Sequence, residues 1–244
     1  MTPADSSRRP LLGGLLPPAV AVSESAGRPP ATAAGLFPAE EAAVRTAGPR
    51  RRAEFAAGRR CARAALASLG VPAGPIPPGP AGQPLWPAGL TGSITHCAGY
   101  QACAVARTTD VAAIGIDAEP DAELPARLIE TVATSSERAW ISRQAAVRPS
   151  AARPATVRPG AGPRAVCWDR LLFSAKEAAG KLWYPLTGRW PGFHETAIGL
   201  ATTGTFTVCL PGPGPAAGDH RATRMTGRWL ARDGLIVTAI AWAP

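Results

Sequence analysis

The chain of 244 residues predicts an α+β fold, and three patterns carry that expectation. Leu171, Ala175, Ala178 and Leu182 recur at helical spacing and form one apolar stripe of a long helix. Val111 to Glu119 is rich in β-branched and small residues, and Ile236, Thr238, Ile240 and Trp242 alternate as in a half-buried strand. A hydrophobic share of 46% over this length can bury a substantial core, as one large domain or two small lobes.

In chain order, strands are expected near 15–22, 91–106, 111–119, 197–210, 227–232 and 235–242. Long helices are expected at 39–69 and 168–184, with another near 121–141. Within the first helix Phe55, Ala62 and Leu66 face inward. Gly99 marks a bend that divides 91–106 into two short strands, and Arg232-Asp233-Gly234 is a hairpin turn signal. The 26 glycines and 27 prolines stay just under the share that marks low complexity, and they gather in 71–89, 148–163 and 211–218, which read as loops or linkers.

Four stretches carry chemistry. Arg170, Ser174, Glu177 and Lys181 form a polar stripe beside the apolar one, so Glu177 and Lys181 sit one helical turn apart. Taken alone, Ser174 and Glu177 also read as a capping box, and Glu177 with Lys181 as a surface pair contributing about 0.2 to 0.5 kcal/mol. Asp117 and Glu119 share one strand face, opposite Ile114, Ile116 and Ala118. Two adjacent carboxylates repel unless water screens them or a cation bridges them, so this pair reads equally as a strand end fraying into solvent at Pro120 or as a metal site. His96, near the Gly99 bend, is placed either to donate to a phosphate oxygen or to hold its own loop. Cys97 and Cys103 beside it lack the close spacing of a zinc site. Arg51, Arg52, Arg59 and Arg63 lie along the first helix, and the planar guanidinium fork matches phosphate oxygens, although a solvated basic face has the same pattern. A magnesium ion takes oxygen ligands and keeps positions for water and phosphate, so three acids with a lysine suit a diphosphate.

Composition narrows the partners. A net charge of +9 with pI near 10.3 suggests an acidic partner, but no helix-turn-helix or aromatic-interleaved basic motif points to nucleic acid as the main ligand. Five cysteines, odd in number and widely spaced, fit a reducing cytosol and not a disulfide framework. Arg8-Arg9 ahead of Leu11 to Val22 mimics an export signal, but Pro17 and Pro18 interrupt that run, and no apolar run is long enough to span a membrane. The expectation is a cytoplasmic protein.

Taken together and in this order, the stretches resemble the Sfp-type 4′-phosphopantetheinyl transferases, in the branch of the enterobactin-synthase enzymes and their actinobacterial relatives. The matching residues are Arg51 to Leu66, Pro84 to Pro87 followed by Gly92 to His96, Gly115 to Glu119, and Phe173 to Lys181 with Trp183 to Trp190; Leu15 to Val22 resembles the family's first strand. The resemblance implies two pseudo-twofold-related lobes, antiparallel strands packed on a long helix in each, divided here as 1–110 and 111–244. It implies transfer of the phosphopantetheine arm of coenzyme A to a serine of an apo acyl or peptidyl carrier protein, including carrier domains of polyketide and nonribosomal peptide synthetases; a monomer is expected, although the sequence itself is silent on oligomeric state. By this likeness Asp117, Glu119 and Glu177 hold magnesium, with manganese as the alternative ion. Glu177 is then also the base for the serine, and Lys181 steadies the departing phosphate. Arg51, Arg59, Thr95 and His96 bind the nucleotide end of coenzyme A, chiefly its 3′-phosphate, with Arg63 a weaker candidate. Pro78 stands where many relatives carry a phosphate-binding lysine, and 143–166 is longer and richer in Pro and Arg than usual. A magnesium-dependent nucleotide diphosphate hydrolase, or a non-catalytic basic adaptor for carrier domains or nucleic acid, remains open beside the transferase.

Overall fold

The computed structural model describes residues 10–27, 34–146, 166–210 and 223–243, so most of the Pro/Arg-rich stretch lies outside the described residues. The elements run β1 (Ala21–Ala26), α1 (Pro38–Ala43), α2 (Pro49–Ser68), β2 (Leu90–Cys97), β3 (Tyr100–Arg107), β4 (Ala113–Pro120), α3 (Ala126–Val132), α4 (Ser135–Ala146), α5 (Trp168–Thr187), β5 (Ala197–Leu200), β6 (Thr205–Leu210), β7 (Thr223–Arg232) and β8 (Leu235–Trp242). This is the α+β class that the periodicities predict.

Several expected boundaries move, each for a local reason. The first strand starts at Ala21, not at 15, because Val20 N–H donates to the Pro17 carbonyl across the Pro17-Pro18 turn. Leu11 and Leu12 instead give their amides to the Glu24 carboxylate, both at 2.9 Å. The expected helix at 39–69 is two helices. Pro49 lacks an amide hydrogen, so it suits the first position of a new helix and would break a continuous one. The helix near 121–141 divides at Thr134, whose N–H donates to Glu137 (2.8 Å) while its hydroxyl accepts from Glu137 N–H (3.3 Å), a capping box that starts α4. The strand expected at 197–210 is β5 and β6, joined by a turn closed by Ala201 N–H on the Thr205 carbonyl. Helix α5 runs through Pro185 to Thr187 and stops at Gly188, whose φ of 68° is left-handed.

The strands form two antiparallel sheets, ordered β1-β3-β2 and β4-β8-β7-β6-β5. A strand, a 20-residue helix and a hairpin build each lobe: β1, α2 and β2–β3, then β4, α5 and β7–β8. The hairpin pairs with the opening strand in the same order, β1-β3-β2 against β4-β8-β7, so the lobes repeat one connectivity although no repeat is visible in the sequence. The second lobe adds β5 and β6 at its far edge.

Helix α2 packs on the first sheet through Cys61, Ala62, Ala65 and Leu66 against Cys103 and Val105. Helix α5 buries Leu171, Ala175, Ala178 and Leu182 completely, as its apolar stripe requires. Each such leucine contributes roughly 1.5 to 3 kcal/mol relative to exposure. A third cluster joins Tyr100, Ala102 and Ala104 of β3 to Ile114 and Ile116 of β4 and Val237 of β8, so the two lobes share core. Where β2 meets β4 the sheets are joined by side chains: the Ser93 hydroxyl accepts Ile116 N–H (3.1 Å) and the Thr95 hydroxyl accepts Ala118 N–H (3.0 Å). These hydroxyls align the edge of one sheet with the edge of the other.

Candidate active site between the lobes

Gly115 sets the distance between β4 and α5, because a Cβ at that position would overlap the Ala178 carbonyl. With the two backbones this close, the polar stripe of α5 meets the polar face of β4. Lys181 Nζ donates to Asp117 Oδ1 at 2.7 Å and to the Ile116 carbonyl at 3.2 Å. Eleven residues earlier on the helix, Arg170 Nη1 donates to Glu119 Oε2 at 3.0 Å. Between them Ser174 lies fully buried against Thr238, hydroxyl to hydroxyl at 2.9 Å. Ser174 is therefore a mid-helix contact with β8 and not a helix cap.

Glu177, between the two cations on the stripe, makes no side-chain hydrogen bond among the described residues. Its pKa lies above the ordinary carboxylate value, through burial and the neighbouring Asp117 charge, with Lys181 opposing. Glu119 is raised as well, by burial and then by Asp117, with Arg170 and Lys181 opposing. Asp117 thus lies within electrostatic reach of both glutamates. Asp117 is 5% exposed; its Oδ1 also accepts the Thr95 hydroxyl (3.2 Å), whereas its Oδ2 is buried without a hydrogen-bond partner. Cys97 beside these acids is an inert thiol, pushed up to about 12 by burial and the two carboxylates.

Among the described residues no three His, Cys, Asp or Glu side chains are gathered tightly enough to cage a metal. The donor set still suits a hard divalent cation: all-oxygen carboxylates, with the orphaned Asp117 Oδ2 at the centre. Residues present and group expected are chemically compatible.

The basic side of the site is built by α2 and the β2–β3 hairpin. Arg51 Nη1 stands 3.3 Å from His96 Nε2, and Glu54 Oε2 stands 3.6 Å from the same nitrogen. Burial and the Arg51 charge lower the His96 pKa, with Glu54 opposing. Lys181 and Asp117 are also among the charges acting on His96, which ties the basic half to the acidic half. Arg59 lies deeper, 5% exposed, its Nε donating to the Ile76 carbonyl (2.6 Å) and its guanidinium 4.1 Å from the Phe55 ring centroid. Burial lowers its pKa to about 10. Arg63 is turned to Glu40, reaching both carboxylate oxygens at 2.9 and 3.0 Å.

Of the residues expected from the sequence, Asp117, Glu119, Glu177 and Lys181 are brought together, and Arg51 with His96 adjoins them. The Thr95 hydroxyl is engaged by Asp117 and Ala118, and Arg59 by Ile76. Two participants were not expected as such: Arg170, noted only as part of a stripe, and Glu54. The seven-residue spacing of Arg170 from Glu177, two helical turns, was the available signal. A cavity of about 190 Å³ lined by Trp140, Ile141, Leu172, Ile198 and Leu200 includes none of these acids or bases.

A two-lobed chain that sets carboxylates and a lysine beside an arginine–histidine pair has the charges that a polyphosphate-handling enzyme needs. Family comparison is more specific. Residues 39–106 match the 4′-phosphopantetheinyl transferase N-terminal domain, and 113–229 match the 4′-phosphopantetheinyl transferase superfamily. The chain is 49% identical over 209 residues to the 4′-phosphopantetheinyl transferase Svp of Streptomyces mobaraensis, covering 85% of this chain and 79% of Svp. It is 40% identical over 213 residues to the 4′-phosphopantetheinyl transferase PptT of Mycobacterium tuberculosis, covering 84% and 86%. Enterobactin synthase component D of Salmonella typhimurium is 32% identical over 200 residues, covering 81% and 75%. The chain belongs to the 4′-phosphopantetheinyl transferase superfamily.

Proposed function

We propose that the chain moves the 4′-phosphopantetheine arm of coenzyme A onto a serine of an apo acyl or peptidyl carrier protein. The serine oxygen bonds to the pantetheine-side phosphorus, the bond from that phosphorus to the bridging oxygen breaks, and adenosine 3′,5′-bisphosphate leaves. The observation that carries this reading is the meeting of the β4 acids with Glu177 and Lys181 beside Arg51 and His96. Phosphoryl transfer asks a protein mainly for positioning and charge neutralisation.

Glu177 accepts the serine proton, a role its raised pKa and lack of hydrogen bonds support. Lys181 neutralises charge on the departing phosphate, and Arg51 and His96 bind the nucleotide phosphates, with Arg59 and Thr95 supporting them from beneath. Asp117, Glu119 and Glu177 would hold a magnesium or manganese ion, which when bound neutralises the diphosphate. In this reading 1–110 binds coenzyme A, 111–244 carries the acids, and the protein works as a cytoplasmic monomer on carriers of polyketide, peptide or fatty-acid assembly. No helix among the described residues is long and apolar enough to cross a membrane.

Purified protein incubated with coenzyme A, magnesium and an apo carrier protein tests the reading by intact mass. A gain of one phosphopantetheine arm on the carrier is expected. Free phosphopantetheine with an unmodified carrier would point to a diphosphate hydrolase, and intact coenzyme A to a non-catalytic adaptor.

A further inference from the structure

The two carboxylates of β4 are treated alike by α5. Each gives one oxygen to a cation of the helix, Asp117 Oδ1 to Lys181 and Glu119 Oε2 to Arg170. Each keeps the other oxygen in reserve: Asp117 Oδ2 is buried without a partner, and Glu119 Oε1 makes no hydrogen bond among the described residues. Lys181 has a role in the proposed transfer, whereas Arg170 has none there.

Arg170 is more than a counter-charge. Its Nε donates to the Ala122 carbonyl at 3.0 Å and its Nη2 to the Glu123 carbonyl at 2.9 Å, while Nη1 holds Glu119. One planar fork therefore fixes both the acid and the turn that follows β4, a geometry that a lysine ammonium cannot reproduce. Both side chains are largely shielded, 17% and 20% exposed, so the contact is stiffer and less screened than a surface pair.

We propose that Arg170 is the positioning residue of Glu119, holding one oxygen so that the other is presented to a divalent cation shared with Asp117 and Glu177. The proposal rests on the metal assignment made above, but concerns a residue outside that ligand set. Outer partners of metal ligands act by fixing orientation, and their loss typically weakens metal affinity by about 10- to 100-fold.

Mn2+ binding to the purified protein, followed by the electron paramagnetic resonance signal of the free ion, tests it without reference to turnover. Arg170→Gln and Arg170→Lys are both expected to weaken Mn2+ binding by about tenfold, the lysine variant included because charge alone does not orient the acid. Adding Arg170→Gln to Glu119→Gln should weaken binding no further than Glu119→Gln alone, since Arg170 acts through that acid. Thermal unfolding of each variant verifies the fold, and the lysine variant decides the matter if the glutamine variant fails to fold. Wild-type affinity in Arg170→Lys, or tighter binding in either variant, would overturn the proposal and make Arg170 a bystander or a competitor of the ion. Absence of Mn2+ binding by the wild type would overturn it too, together with the metal assignment; phosphopantetheine transfer by that same wild type would leave the reaction class standing.

Discussion

Helices α2 and α5 occupy equivalent places in two lobes of one connectivity, and both are 20 residues long, yet they use their charges in opposite ways. On α2 Arg63 closes on Glu40 and Arg59 on the Ile76 carbonyl, leaving Arg51 beside His96. On α5 Lys176 closes on Glu137, whereas Arg170 and Lys181 each hold one oxygen of a β4 acid of the same lobe and leave the other oxygen unfilled. Satisfied charges on this frame build the lobe, whereas the acids left with unfilled oxygens are the ones to which the proposed reaction assigns chemistry. Glu177 and Asp117 illustrate the second kind, and Glu40 the first.

The contrast breaks most plainly at Glu177. Glu177→Ala should lower the rate of carrier modification, read by intact mass, by on the order of 10²- to 10⁴-fold, the usual contribution of a general base. A rate near wild type would return Glu177 to the class of ordinary surface acids. On α2 the expected loss is of stability instead. Arg63→Ala leaves Glu40, which is fully buried, without its cation, and should destabilise the protein by about 3 kcal/mol in urea unfolding. Coenzyme A affinity of the folded fraction should stay within about twofold, because the Arg63 guanidinium is already taken by Glu40 and the Gly35 carbonyl.

His96 sits where the two regions meet. His96→Ala should weaken coenzyme A binding by about tenfold, the equivalent of one charge-assisted hydrogen bond, measured by calorimetry. Binding of an analogue lacking the 3′-phosphate should be unchanged; an equal loss for both ligands would make His96 a loop-holding residue.

The smallest effect concerns the stability cost of an unsatisfied acid. The Glu177 pKa is raised above its ordinary 4.5, so between that value and the raised one the folded state binds more protons than the unfolded state. Stability then falls as pH rises through that window. Glu177→Gln should therefore raise the Tm by about a few degrees at pH 7, with the gain vanishing below the ordinary carboxylate value. A gain that persists in acid would assign it to something other than ionisation.

Much of this was legible in the sequence because period and chemistry coincide there. The stripe Leu171 to Leu182 fixed the buried face of α5 and with it the polar stripe beside it, and alternation along β4 separated Ile114 and Ile116 from Asp117. The Asp233-Gly234 turn was legible for the same reason, both residues having positive φ, 56° and 76°. Breaks inside helices were harder to see. Pro49 and the Thr134/Glu137 box were both present as local signals, but hydrophobic periodicity runs across them and masks the interruption. Partnerships across the fold were not readable from spacing. Arginines 59 and 63 look as available as Arg51 along α2, and only tertiary packing turns them to Ile76 and Glu40. Thr95 likewise reads as a phosphate contact until β4 arrives beside it.

In the proposed reaction, acids from β4 and α5 serve one divalent ion at the coenzyme A diphosphate. Crystals grown with Mn2+ and coenzyme A, measured at the manganese absorption edge, test it most directly. One anomalous peak is predicted, ligated by Asp117, Glu119 and Glu177 and by diphosphate oxygens. A peak bound by only one of these elements, or a diphosphate seated away from Asp117 and Glu177, would contradict the account.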